Sequence, residues 1–224
     1  FAELRVPILA DLPFAQELEA NGAIRFSDYS TVGGTTTWNL GLRWAPVRDL
    51  AFRGTWAQTV RAPNIGELFS PQSQTFLFIN DPCDVDNLNN GTSTRAANCA
   101  QILSALGQDP TTFEAPNSSN IPGFSRGNPD LEEETARSWT LGAVLRPRFI
   151  PGLSITVDWY NIRIRNAINT PAAQDIAELC VDQPTIDNVF CDSITRSTVT
   201  GGINGFSVQP ENVAAFRTSG LDFD

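Results

Sequence analysis

Residues 36–60, TTWNLGLRWAPVRDLAFRGTWAQTV, decide the fold. In the first half Trp38, Leu40, Leu42 and Trp44 alternate with Thr37, Asn39, Gly41 and Arg43, a strict period of two. Pro46-Val47-Arg48-Asp49 reads as a turn, after which Leu50, Phe52 and Trp56 oppose Arg53, Thr55 and Thr59. The pattern predicts two antiparallel strands, each apolar on one side only. Ordinary strands run about 5–6 residues, whereas a tilted strand crossing a bilayer needs roughly 9–11, and both of these reach the longer class. Trp38 and Trp44 bracket the apolar face as interfacial aromatic rings bracket a hydrocarbon span. A soluble β-sandwich hairpin, with that face in its core, is the competing reading.

The same alternation extends in both directions. Upstream, Leu4, Val6 and Ile8 alternate with Glu3, Arg5 and Pro7, and Leu18, Ala20, Ile24 and Phe26 with Glu19, Asn21, Arg25 and Ser27. Reversals are expected at residues 10–16 and 28–35. Downstream, Trp139, Leu141, Ala143 and Leu145 oppose Ser138, Thr140, Gly142 and Arg146. After the Pro151-Gly152 turn, Leu153, Ile155, Val157 and Trp159 oppose Ser154, Thr156, Asp158 and Tyr160. Beyond Tyr160 the phase inverts, since Ile162 and Ile164 alternate with Arg163 and Arg165, which a bulge or emergence from lipid would produce. A last strand over residues 214–224 sets Leu221 and Phe223 against Gly220, Asp222 and Asp224.

Between these strands lie two stretches, about residues 61–134 and 169–213, far longer than the roughly 12–15 residues beyond which a loop needs a reason. Short helices are expected at residues 94–106 and 171–179, and a short strand at residues 203–208 that forms a hairpin with the segment C-terminal to it. Short turns on one side and long loops on the other are how outer-membrane barrels are built. The expected fold is therefore all-β: an antiparallel up-and-down transmembrane β-barrel, partial, with about seven long strands and short loop helices. The whole chain, residues 1–224, reads as one such piece, with both long loops external. The first of them, over about residues 64–130, is the expected ligand-binding surface.

Composition fits that expectation. The net charge of -10 disfavours nucleic acid as a partner, because phosphate binding needs a basic surface. Mean hydropathy of -0.15 is compatible with strands that are wet on one face. No apolar run approaches the roughly 18 residues of a membrane helix. The sequence starts at Phe1, contains no Met and ends within GLDFD, so it is read as a fragment. Asp81, Asp84, Asp86, Asp109, Glu114, Asp130, Glu132, Glu133 and Glu134 make the first long loop acidic; solvated loop charge is the bland reading of such a run.

Four cysteines fall as local pairs, Cys83 with Cys99 and Cys180 with Cys191. Of three connectivities this one needs the least loop closure, and disulfides imply an oxidising compartment. Zinc competes weakly, since neither CxxC spacing nor any His is present. Asp84-Val85-Asp86-Asn87-Leu88-Asn89-Asn90-Gly91 gathers oxygen ligands, yet a calcium loop starting at Asp84 would put Leu88 at a ligand position; a solvated Asn/Asp turn reads better. Asn90-Gly91-Thr92 and Asn117-Ser118-Ser119 match the glycosylation sequon, a short and frequent pattern. No catalytic, metal-binding or cofactor-binding constellation is expected, and the reading is of a non-enzyme.

RAPNIGELFSP (61–71), NPDLEEETARSWTLG (128–142), FIPGLSITVDWYNIRI (149–164) and TSGLDFD (218–224) together resemble the barrel of a TonB-dependent outer-membrane receptor. The resemblance covers essentially the whole chain. It implies residence in the bacterial outer membrane, a plug domain elsewhere in the same chain, coupling to the inner-membrane TonB complex, and an imported small-molecule ligand of unknown identity. That ligand would be a scarce solute such as a ferric siderophore, cobalamin or an oligosaccharide. A surface barrel without transport, an adhesin or passive porin, is the second function class, and an upstream plug would decide against it.

On this reading Trp38, Leu40, Leu42, Trp44, Phe52, Trp56, Trp139, Leu141 and Trp159 face outer-membrane lipid, while Arg25, Arg43, Arg53 and Arg146 face the lumen. The lumen arginines either line a path for an anionic ligand or pair with acids such as Glu19 and Asp158, and polar barrel interiors favour pairing. Arg placed at Leu40 or Leu42 should cost about 2–4 kcal/mol near the bilayer midplane, against a smaller penalty at Asn39 or Gly41. Lipid-folding equilibria of the intact receptor rank the four variants, and equal penalties would favour a soluble sandwich.

Overall fold

The computed structural model describes residues 1–116 and 120–224 and divides the chain into two compact units. Unit 1 is Phe1–Asn64, Leu131–Asn169 and Glu211–Asp224; unit 2 is Ile65–Asp130 and Thr170–Pro210. The elements begin with β1 (Ala2–Leu12), β2 (Ala15–Tyr29), β3 (Gly33–Val47) and β4 (Leu50–Arg61). Then come α1 (Ile65–Phe69), β5 (Ser73–Leu77), α2 (Arg95–Ala105), β6 (Ile121–Ser125), β7 (Glu134–Leu145) and β8 (Ile155–Asn169). The chain closes with α3 (Ala173–Asp182), α4 (Val189–Asp192), β9 (Ile194–Arg196), β10 (Ile203–Val208) and β11 (Glu211–Phe223). Asn117-Ser118-Ser119 lies outside the described residues.

Unit 1 is a single antiparallel sheet in the order β1-β2-β3-β4-β7-β8-β11. Its strands are 11 to 15 residues long, enough for a tilted bilayer crossing. The turns are tighter than the sequence suggests. The first reversal is only Pro13-Phe14, because Phe14 takes a φ of 59° and closes a two-residue turn. The next strand already starts at Gly33, and the turn after β3 shrinks to Arg48-Asp49.

Register carries the apolar positions into rows across the sheet. Leu18, Ala20, Gly22 and Ile24 pair with Trp44, Leu42, Leu40 and Trp38. Leu40 pairs with Trp56, and Trp44 with Phe52. Trp56 continues to Trp139, Leu141 to Trp159, and Trp159 to Leu221. Trp38 meets Trp56 edge-on at 4.5 Å and Trp56 stacks on Trp139 at 5.0 Å, contacts worth about 0.5–1.5 kcal/mol each beyond burial. The face they share is uncovered: Leu40 is 54% exposed, Leu141 54% and Leu221 59%. A soluble sandwich would have buried them, and among the described residues they stay about half exposed.

The opposite face is polar and cross-linked by charge. Arg53 donates from Nε to Asp158 Oδ1 at 2.9 Å, reaching from β4 across β7 to β8. Gly142 sits between them in register with both, and a Cβ there would stand 2.9 Å from Arg53 Nε. Arg43 pairs with Glu17, while Glu19 takes Arg5 at 2.6 Å. The β7–β8 register runs unbroken from Leu145/Ile155 to Thr135/Arg165, so the inversion after Tyr160 is no bulge. Asn161, Arg163 and Arg165 instead occupy the same face as Trp159. Register shifts occur instead around Ala214 of β11, between Pro7 and Leu9 of β1, and between Trp44 and Val47 of β3.

Unit 2 holds the four-stranded sheet β5-β6-β10-β9. The short strand at residues 203–208 is present, but its hairpin is with the preceding β9 and not with the segment C-terminal to it. Gly201, at φ 75°, reverses the chain just before it, with Ser197 N donating to Gly202 O at 2.9 Å. Its other edge is taken by β6 in parallel, and Pro210, lacking an N–H, ends the run.

Gly142→Val should separate Arg53 from Asp158 and cost the barrel about 1 kcal/mol, a pair half-exposed on one side being worth 0.2–1. Urea unfolding of the intact receptor would then find Asp158→Asn nearly neutral in the Gly142→Val background.

Candidate functional site

Among the described residues, two clusters of buried apolar side chains stand out, and both lie in unit 2. Ile79, Ile121, Ala173, Ala177, Ile203 and Phe206 form one; Cys83, Cys99, Leu103, Phe113, Cys180 and Val181 form the other. Both clusters draw on both long excursions of the chain, so these are not two separate loops. Cys83 is bonded to Cys99 and Cys180 to Cys191, each bridge closing its own excursion over 16 and 11 residues. Closing a loop of about 15 residues contributes roughly 3 kcal/mol in the chain-entropy model.

Ion pairs and side-chain hydrogen bonds then tie the excursions to each other. Arg196 on β9 grips the buried Asp81 with two bonds of 2.7 Å, and Asp81 Oδ1 also accepts from Cys83 N at 2.9 Å. Losing one partner of such a buried pair costs about 3–5 kcal/mol, because the other charge stays desolvated. Arg95 at the start of α2 holds Asp182 at the end of α3 through Nε at 2.8 Å and Nη2 at 2.6 Å. Thr92 N adds a third donor at 3.2 Å. Asn98 donates to the carbonyls of Val181 and Gln183 at 2.9 and 2.8 Å.

Several acids of the first excursion are therefore structural. Asp84 accepts from Asp86 N at 3.0 Å and Ala115 N at 2.8 Å, an Asx turn in place of a calcium loop. Asp109 accepts from Thr111, whose hydroxyl and amide hold its carboxyl below the usual range. Even so, unit 2 contains twelve carboxylates and three arginines, which gives it -9 of the chain's -10.

The surface of this acidic body carries aromatic rings. On β5 and β6, Gln74 pairs with Phe124 and Phe76 with Pro122. The inner side of that ladder is filled by Phe206, packed against Gly123, so Phe76 and Phe124 point outward, 57% and 44% exposed. At the Ser73–Ser125 end of the ladder lies a groove of about 370 Å³, lined by Phe69, Gln72, Arg126, Asn128 and Asp130 among others. Arg126 Nε donates to Gln209 Oε1 at 2.8 Å. Gly127 makes the groove possible: a Cβ would stand 2.6 Å from Ser70 N. Rings beside carboxylates and amides can stack on and hydrogen-bond a neutral or cationic solute.

Sequence reasoning points to the first excursion as the binding surface but misses these side chains. The signal is present in QTFLFIN (74–80), a short β-branched and aromatic run bounded by polar residues. Of the expected lumen arginines, Arg43, Arg53 and Arg146 line one groove of about 200 Å³ in unit 1, and Arg25 stands apart from it.

Arg95 and the donors from Thr92 lower the pKa of Asp182. Because the folded value lies below the unfolded one, the stabilisation is complete above about pH 3.9 and fades as pH falls through the folded value. Limited proteolysis of the intact receptor should find unit 2 loosening only below about pH 4. Asp182→Asn should be loose already at neutral pH and flat across that window.

The TonB dependent receptor-like β-barrel family model matches residues 1–224. Solved structures of similar fold include a mutant ferric enterobactin receptor PfeA from Pseudomonas aeruginosa in complex with enterobactin. It is 15% identical, with a TM-score of 0.54 over 95% of this chain and 22% of that one. The siderophore receptor PirA from Acinetobacter baumannii is 15% identical, with a TM-score of 0.51 over 93% and 23%. PirA from Pseudomonas aeruginosa is 16% identical, with a TM-score of 0.52 over 92% and 27%. The chain thus spans about a quarter of the length of these receptors. No curated protein sequence matches it. With the family model spanning all 224 residues and a seven-strand antiparallel sheet of membrane-crossing length, the chain belongs to the TonB-dependent receptor β-barrel family.

Proposed function

We propose that this chain is part of the outer-membrane barrel of a receptor that imports a scarce solute, and that unit 2 is its external capture surface. The observation that carries the reading is the division of charge and apolar surface. Unit 2 is compact, acidic and studded with exposed phenylalanines, while unit 1 is close to neutral and bares one apolar face. The Trp38, Leu40, Leu42, Trp44, Phe52, Trp56, Trp139, Leu141 and Trp159 face meets lipid; Arg25, Arg43, Arg53 and Arg146 face the lumen, where Glu17 and Asp158 balance Arg43 and Arg53. A plug domain and contacts to TonB belong to other parts of the receptor.

Ferric siderophores, cobalamin and oligosaccharides remain the solute classes, with the acidity favouring neutral or cationic members, since like charges repel during encounter. In the intact receptor, deleting residues 83–99, or changing Phe76 and Phe124 together to Ala, should reduce binding at least about tenfold, as loss of stacked aromatic contacts does. The probes are radio-iron-loaded siderophores of cationic, neutral and anionic charge, and cobalamin. Heat-modifiable gel mobility verifies the barrel. Binding and uptake unchanged for every probe would remove unit 2 from the mechanism.

A further inference from the structure

Four arginines of unit 1 stand on the wrong face for a lumen. Arg137 of β7 is in direct register with Arg163 of β8, and Arg163 with Arg217 of β11. The three form one row across adjacent strands, and Arg165 follows on β8. Like charges directly opposite destabilise a sheet unless something neutralises them. Elsewhere the sheet does so from within: Arg5, Arg43, Arg53 and Arg61 each have a carboxylate partner. Among the described residues none of the four has a carboxylate within 4.0 Å; Arg137 has only Gln58 Oε1 at 3.2 Å.

Their position is informative. One row toward the short turns lie Trp139, Asn161 and Ser219; the next row is Leu141, Trp159 and Leu221. Along one face the chemistry therefore changes from the apolar Leu141–Trp159–Leu221 row, through Trp139 with the polar Asn161 and Ser219, to cationic within two steps of about 6.6 Å each. Aromatic rings sit at the membrane interface, so the arginines stand at the height of lipid headgroups. They lie toward the end from which β4 and β8 leave for unit 2, which is the external end in the proposed function. Arg137, Trp139, Arg163 and Arg165 border an open groove of about 530 Å³. A guanidinium fork suits a phosphate oxygen pair.

We infer that the Arg137–Arg163–Arg217 row, with Arg165, binds the phosphate groups of an outer-leaflet phosphorylated glycolipid. The inference rests on the orientation in the proposed function and extends it from solute to lipid. The glycolipid supplies the missing negative charge, its acyl chains run down the Leu141–Trp159–Leu221 face, and the row fixes the receptor at one depth.

The test uses the intact receptor in detergent and phosphatidylcholine vesicles carrying either bisphosphorylated lipid A or the same lipid dephosphorylated. Wild type should bind the phosphorylated vesicles at least tenfold more tightly. The triple variant R137Q/R163Q/R217Q should lose on the order of 100-fold toward them, as expected for removing three cations at an anionic surface. R137K/R163K/R217K should keep most of the binding, because the charge remains. Wild-type binding indifferent to phosphorylation would overturn the proposal, and this needs no variant to fold. Displacement by equimolar inorganic phosphate would also overturn it, pointing to a free-anion site. Solute uptake by the same cells reports separately on the receptor reading: normal uptake with no glycolipid preference sinks only the present inference.

Discussion

A one-layer sheet that leaves its leucines and tryptophans half exposed is stable only if an apolar medium takes up that face. Everything in unit 1 depends on this constraint. Backbone groups must be satisfied between strands, because lipid offers no hydrogen-bond partner, and seven long hydrogen-bonded strands, interrupted by a few bulges, achieve that along most of the sheet away from its outermost edges. The wet face cannot rely on apolar packing, so it is held by Arg53 with Asp158, Arg43 with Glu17 and Arg5 with Glu19. Glycine enters where two long side chains must meet across a strand, as at Gly142.

Unit 2 obeys the rules of a small water-soluble domain. Its residues alone would bury little, and domains of this size commonly need staples. Two disulfides, the buried Asp81–Arg196 pair and the Arg95–Asp182 pair provide them. That rigid support leaves the β5–β6 surface free to carry apolar rings without collapsing onto them. In the proposed function, affinity then depends less on ordering a loose loop at the moment of capture.

The sheet was legible because period-two alternation over more than ten residues admits few readings, and the tryptophans marked where the apolar span ends. Strand 203–208 was legible for the same reason, but its partners were not: β6 lies about eighty residues away, and nothing in INGFSV names a parallel neighbour. The interlocking of the two excursions was equally invisible. It depends on Arg95, Arg196, Asn98 and Gln174 finding acceptors 83 to 115 residues distant, and isolated polar residues in a loop carry no sign of their partners. The acidic run looked like solvated charge, yet Asp81 is buried and Asp84 caps backbone amides. The cysteine pairing was readable because closure entropy orders the alternatives.

The parallel pairing of β6 with β10 also constrains how the molecule is made. The hairpin of β7 and β8 lies in sequence between those two strands, so the β6–β10 ladder closes around a membrane-crossing segment. Contacts of such long separation are slow to form. The bridges Cys83–Cys99 and Cys180–Cys191 are local and can be oxidised while the chain is still unassembled. The Asp81–Arg196 clasp must wait until both halves are on the same side of the bilayer. Insertion of the barrel thereby comes before maturation of unit 2, and a receptor stalled in insertion would present two stapled but unjoined halves of that unit.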